Sequence, residues 1–173
     1  YGVAQDATGR VWVGTQNGLN RLDAEGRNFV RYFHDSGTAA SLAHNWVYAL
    51  HRGASRQLWI GTVGGGIDRW DDAGGRFEHF PLASLLDGAR GLDDVFALHE
   101  AADGRVWAGT RDGLVVLDPA QRTAKRIDLA NDSGSQPLIT TMHADQYGRL
   151  WIATLAHGVL VVDLATGKSS RAH

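Results

Sequence analysis

Eight histidines and no cysteine in 173 residues leave imidazole, carboxylate and guanidinium groups as the reactive chemistry of this chain. His51, His99 and His143 recur at a nearly constant interval, which raises the possibility of a metal-holding ring. Zinc needs its nitrogens about 2.0–2.1 Å from the ion. Residues on successive packed sheets stand about 10 Å apart, too far for three imidazoles to converge. Ala4 holds the matching place in the first interval, so the spacing points to packing histidines and no metal. Asp23, Asp71, Asp118 and Asp163 also recur, but singly, without the dense D-x-D-x-D-G spacing of a calcium loop; they read as turn-initiating residues. No G-x-S-x-G, H-E-x-x-H or P-loop motif is present. The adjacent Asp93 and Asp94 would point opposite ways in an extended segment, a poor geometry for shared acid–base work. No catalytic residue and no cofactor is expected.

A second set of residues is better suited to recognition. Trp46 offers an aromatic face, Arg90 and Arg111 charged donors, and His44, Asp94 and His157 mixed polar groups. Most fall in or beside three long polar stretches, residues 34–46, 81–94 and 130–138, and long loops on a rigid scaffold are where binding usually resides. The plainer reading is that Asn45 and Asp93 close the turn into the next strand and the rest is solvated.

What positions these groups is a repeat. "DATGRVWVGTQNGLNRLD", "GASRQLWIGTVGGGIDRWD", "AADGRVWAGTRDGLVVLD" and "DQYGRLWIATLAHGVLVVD" align on Trp12, Trp59, Trp107 and Trp151, at spacings of 47, 48 and 44 residues. Three residues after each comes Thr15, Thr62, Thr110 or Thr154, followed by Gly18, Gly66, Gly113 or Gly158. Each unit reads as four short strands; in the second these are Val47 to His51, Leu58 to Thr62, Ile67 to Asp71 and Phe77 to Phe80. Gly, Asp, Asn and Ser mark the turns, and no segment keeps an apolar 3.6-residue period, so helices should be nearly absent.

Four strands every 44 to 48 residues predict an all-β fold, a β-propeller of four four-stranded antiparallel blades at about 1–33, 47–80, 95–127 and 139–173. Face-to-face blades bury both sides of the middle strands, which explains the continuous apolar runs "RVWVG" and "GLVVLD". Each tryptophan is predicted to fill the wedge against a neighbouring blade. The glycine of "WVGT", "WIGT" and "WAGT" lets that neighbour approach; Ala153 replaces it in the last unit. Tyr1 aligns with Tyr48 and Phe96 in the first strand of its blade, and "SSRAH" is poor material for the last strand. Blade boundaries at both ends suit a segment of a larger, seven-bladed propeller better than a closed four-bladed ring.

Composition agrees. The chain is 43% hydrophobic, with 17 basic and 19 acidic residues and a net charge of −2, which gives no cationic surface for nucleic acid or membrane. No window approaches the roughly 18 apolar residues of a membrane span.

The pattern D-x-x-G-x-ψ-W-ψ-G-T-x-x-G-ψ, ending in a strand closed by Asp, resembles the two-component regulator propeller repeat, and "SLAHNWVYAL" is similar to that family's lead-in to a blade. The resemblance covers all four units, with departures at "GASRQ" and "WIAT". It implies the periplasmic sensor region of a membrane-anchored hybrid histidine kinase or diguanylate cyclase, binding carbohydrate or another small ligand and self-associating in the full-length receptor. Two alternatives stay open: a propeller lyase of the streptogramin-lyase type, whose repeat is similar and which uses a histidine and magnesium, and a protein-interaction or dimerisation platform without a small ligand.

Overall fold

A computed structural model of the chain describes residues 1–88, 90–129 and 135–172. The first part of the loop expected at 130–138 and the terminal His173 lie outside the described residues. The first sheet holds β1 (Val3–Gln5), β2 (Val11–Thr15), β3 (Gly18–Leu22) and β4 (Phe29–Tyr32). The second holds β5 (Val47–Arg52), β6 (Leu58–Thr62), β7 (Gly66–Asp71) and β8 (Arg76–Phe80). A single helical turn, α1 (Leu82–Leu85), precedes the third sheet of β9 (Val95–Glu100), β10 (Val106–Thr110), β11 (Gly113–Asp118) and β12 (Thr123–Ile127). The fourth holds β13 (Ile139–Ala144), β14 (Arg149–Thr154), β15 (Val159–Asp163) and β16 (Ser169–Arg171). Every sheet is an antiparallel meander in chain order. The first strands β1, β5, β9 and β13 are successive neighbours, so the four sheets stack as the blades of a propeller.

Two details differ from expectation. Tyr1 precedes β1 rather than lying in it. Residues 169–171 do form a strand, pairing Leu160 with Arg171 and Val162 with Ser169. An edge strand is held by backbone hydrogen bonds and tolerates small polar residues that would weaken a central one.

The indoles hold the blades together. Trp12 and Leu19 of the first blade meet Leu58, Ile60, Trp70 and Phe77 of the second. Trp59 and Ile67 meet Val106, Ala108 and Leu117; Trp107 and Leu114 meet Leu150, Ile152 and Val162. Trp12, Trp59 and Trp107 are fully buried, whereas Trp151 is half-buried. Truncating a buried indole to alanine removes about 3–5 kcal/mol. The glycines beside them set the spacing: a Cβ on Gly14, Gly61 or Gly109 would come within 2.6, 2.8 or 2.5 Å of the side chain of Val47, Val95 or Ile139 on the next blade.

Each hairpin has its own chemistry. Between strands three and four, the carboxylates of Asp23, Asp71, Asp118 and Asp163 accept from backbone N–H groups three or four residues on. Between strands one and two, Asp6 accepts from Thr8 N, Thr8 Oγ1, Arg10 N and the Trp12 indole. Burial opposes ionisation, yet those donors hold the Asp6 carboxyl down at about 2. Asp145 repeats the arrangement with Tyr147, Arg149 and Trp151. The second and third blades have Gly53 and Ala101 at that position, and there the Trp59 and Trp107 Nε1 atoms are buried without an acceptor among the described residues. The departure at "GASRQ" does not undo its hairpin, because Arg56 takes the left-handed conformation, φ +68°, that Gly9, Gly104 and Gly148 take in the other blades. That backbone costs a residue with a side chain about 1 kcal/mol.

Candidate functional site

The turns between strands two and three and the lead-ins to each blade build one face. Thr15, Thr62, Thr110 and Thr154 each donate their hydroxyl to the carbonyl of Gly18, Gly66, Gly113 or Gly158, at 2.8 to 3.1 Å. All four glycines have positive φ. The amides of Gly18, Gly66 and Gly113 are given to the carbonyls of Asn45, Asp93 and Pro137 in the lead-in to the following blade. The next lead-in residue, Trp46, Asp94 or Leu138, accepts from Val63, Arg111 or Leu155 of its own blade. The Thr–Gly turn, three residues apart in the first and third blades and four in the second and fourth, is therefore a clamp wherever its glycine amide reaches the next blade.

The first strands of three blades carry a bulge here. Pairing skips Tyr48 between Val47 and Ala49, Phe96 between Val95 and Ala97, and Thr140 between Ile139 and Thr141. A bulge re-aims the side chain of the extra residue. Tyr1 lies 5.9 Å from Tyr48, and Tyr48 lies 5.0 Å from Phe96, ring centre to ring centre. The Arg111 guanidinium stands 5.7 Å from the Phe96 ring and pairs with Asp94. An aromatic ladder ending in an ion pair is thus presented at the mouth of the blades, the mixture of apolar surface and few polar groups that small-molecule sites use.

Of the residues singled out from sequence, Asp94 and Arg111 are joined by this ion pair. His44 and Trp46 share one turn, where His44 Nδ1 accepts from the Trp46 amide, and both side chains are exposed. Arg90 is exposed beside Gly91, which packs near the Arg111 side chain. His157, half-buried, gives its amide to Thr154 Oγ1 in the fourth blade's turn. Asn45 and Asp93 take up the amides of His34 and Ala83 with their side chains, closing the connections they belong to. Tyr48 and Phe96 are the residues that sequence reasoning passed over. Their alignment with Tyr1 was visible, but an ideal pleat gave no reason for three rings to share a face.

His51 and His99 stack edge to face at 5.4 Å, opposite Trp59 and Trp107 in the ladder, while His143 is exposed. Burial, reinforced by the neighbouring His99, pushes the His51 imidazole down to about 4. Burial also lowers His99. Among the described residues, no three His, Cys, Asp or Glu side chains group as a metal site would require.

A second concavity runs along the outer edge of the second blade, a cleft of about 1080 Å³ reached by side chains of three blades. His79 lines it, with Nδ1 2.6 Å from the buried Asp68 carboxylate and Nε2 2.8 Å from the Ala39 carbonyl. The bond to Asp68 raises the His79 pKa, while burial raises that of the Asp68 carboxyl, so the two groups hold a proton between them.

This architecture is that of a β-propeller, presenting a clamped mouth and a lateral cleft. No protein-family model and no curated protein matches the chain. Solved structures do. The extracellular domain of BT3049 from B. thetaiotaomicron, described as a hybrid two-component system, is 25% identical over 97% of this chain and 22% of its own, with TM-score 0.80. The extracellular domain of BT4673 from the same organism is 22% identical over 98% of this chain and 24% of its own, with TM-score 0.78. Virginiamycin B lyase from Staphylococcus aureus is 14% identical over 98% of this chain and 54% of its own, with TM-score 0.69. The chain spans about a quarter of the length of these two extracellular domains. The BT3049 domain is in line with the resemblance to two-component sensor propellers that the repeat carries; the likenesses to BT4673 and to the lyase show the fold alone.

Proposed function

We propose that the chain is a ligand-binding segment of a periplasmic sensor receptor of the two-component type, forming part of a larger propeller and binding without turnover. The observation that carries this reading is the ladder Tyr1–Tyr48–Phe96 with the Arg111–Asp94 pair, set at bulges on a face whose turns are locked by interblade hydrogen bonds. A rigid face with an aromatic strip and one oriented ion pair suits a carbohydrate or a similar small molecule having both an apolar side and hydroxyl groups. The extracellular two-component domains among the structural neighbours support the sensor role, and the nutrient-binding protein from Bacteroides thetaiotaomicron, TM-score 0.64, is in keeping with a small ligand.

The test is thermal unfolding in the presence of a panel of neutral mono- and disaccharides. A binder at one hundred times its dissociation constant stabilises by about 2.7 kcal/mol. A saturable rise in Tm supports the reading. A flat response across the panel, with concentration-dependent self-association in its place, would favour the protein-binding platform.

A further inference from the structure

The lateral cleft breaks the repeat in a particular way. In the turn between strands one and two, three blades place glycine at the left-handed position, Gly9, Gly104 and Gly148, and the second blade places Arg56 there. In the turn between strands three and four, Gly26, Gly75 and Gly167 hold the left-handed position, and the third blade has Arg122 at φ +53°. Only three non-glycine residues with positive φ occur among the described residues, and these arginines are two of them. They lie in different hairpins of different blades, yet both line the same cleft. Glycine is the residue this backbone prefers, so a side chain there is kept for what it reaches.

What both reach with is a guanidinium. Arg122 shares the Glu78 carboxylate with Arg69, two cations on one anion. Arg56 donates to the Ala7 carbonyl, a neutral acceptor, and has no carboxylate partner among the described residues. The cleft's other carboxylates, Asp6, Asp71 and Asp72, are already paired with Arg10 or Arg76. With Glu78 shared between two guanidiniums and Arg56 set on a neutral carbonyl, the cleft keeps guanidinium donors that have no carboxylate of their own, the groups that recognise planar oxyanions.

We propose that the cleft binds a small anion, a ligand carrying a carboxylate or sulfate group, through Arg56 and Arg122. The site is distinct from the aromatic mouth, so the two readings stand or fall separately.

Calorimetric titration of the chain at low ionic strength, where screening is weak, with sodium sulfate, sodium glucuronate and glucose tests it. Glucuronate or sulfate should bind in a way that Arg56→Gly and Arg122→Gly weaken, whereas any heat from glucose, which belongs to the mouth, should be the same in parent and variants. Heat from glucuronate alone identifies a sugar acid as the source of the anion, and from sulfate alone a sulfate group. The decisive variants are Arg56→Gly and Arg122→Gly. Each restores the residue the other blades use, so Tm should hold or rise while affinity for the anion falls at least tenfold. If neither anion binds, if the glycine variants bind as well as the parent, or if both variants lower Tm, the arginines are interblade ties and the proposal is wrong.

Discussion

Glu100, at the end of β9, stands where a side chain on Gly53 would be: a Cβ built on Gly53 would lie 1.6 Å from Glu100 Oε2. The carboxylate accepts from Ser55 N at 3.0 Å and from Ser55 Oγ. In the first blade, Asp6 gives the same service to Thr8 from within its own hairpin. The third blade thus supplies the acceptor that the second blade's turn has lost.

The exchange predicts a coupling. Gly53→Asp alone forces the buried carboxylate aside and should cost at least about 1–3 kcal/mol. Glu100→Ala leaves the Ser55 donors unsatisfied and should cost about the same. Gly53→Asp combined with Glu100→Ala returns the acceptor to the hairpin, so the pair should be more stable than the summed single losses by at least about 1 kcal/mol in urea denaturation. Strictly additive losses would refute this account.

The third blade lacks both devices, since Ala101 sits at the aspartate position and the Trp107 indole N–H is buried without an acceptor. Ala101→Asp should give that N–H the partner Trp12 has, with a net gain of about 1 kcal/mol. The Trp107 indole proton should move downfield and exchange more slowly. An unmoved resonance together with lower stability would count against the idea.

Acid should weaken the fold in two stages. The His51 imidazole is held at about 4 in the folded chain against an ordinary 6.5, so the unfolded state takes up its proton first and stability is lost as pH falls from 6.5 toward 4. That contribution is on the order of 2–3 kcal/mol. Asp6, held at about 2 against 3.8, adds a further loss as pH falls from about 4 toward 2. His79 acts oppositely, its raised pKa giving stability below the ordinary histidine value that disappears as pH rises through the folded one. His51→Gln should flatten unfolding free energy between pH 6.5 and 4; an unchanged slope would dismiss the histidine stack as its source.

At the mouth, Phe96→Leu keeps apolar volume and removes the ring that joins Tyr48 to Arg111. If the ladder carries recognition, sugar affinity should fall about tenfold, or about 1.4 kcal/mol. Tm without ligand should change little. Retained affinity in both Phe96→Leu and Arg111→Ala would move the binding site elsewhere.

How far this could be read in advance follows from the range of each interaction. The strands of the second blade were placed within one residue, because alternation and turn residues are local signals and Trp59, Thr62 and Gly66 fix the phase. The recurring Thr and Gly were visible as a coincidence, but their reason, a Gly66 amide given to Asp93 in the lead-in to the next blade, belongs to the stacking. The service of Glu100 to Ser55 spans 45 residues and leaves only an absence in the sequence, a glycine where aspartate recurs. The bulges at Tyr48 and Phe96 have no compositional mark. The left-handed arginines did have one, since aligning the four hairpins sets Arg56 beside Gly9, Gly104 and Gly148.

The clamp also supplies a gauge of blade separation. The amides of Gly18, Gly66 and Gly113 are tied across a seam, whereas neighbouring strand amides are tied within one sheet. Their deuterium uptake therefore reports the opening of each seam individually, ahead of the melting of either sheet. A molecule that settles in the mouth and draws two blades together should slow these three protons selectively, turning a mechanical event into three resolved rates.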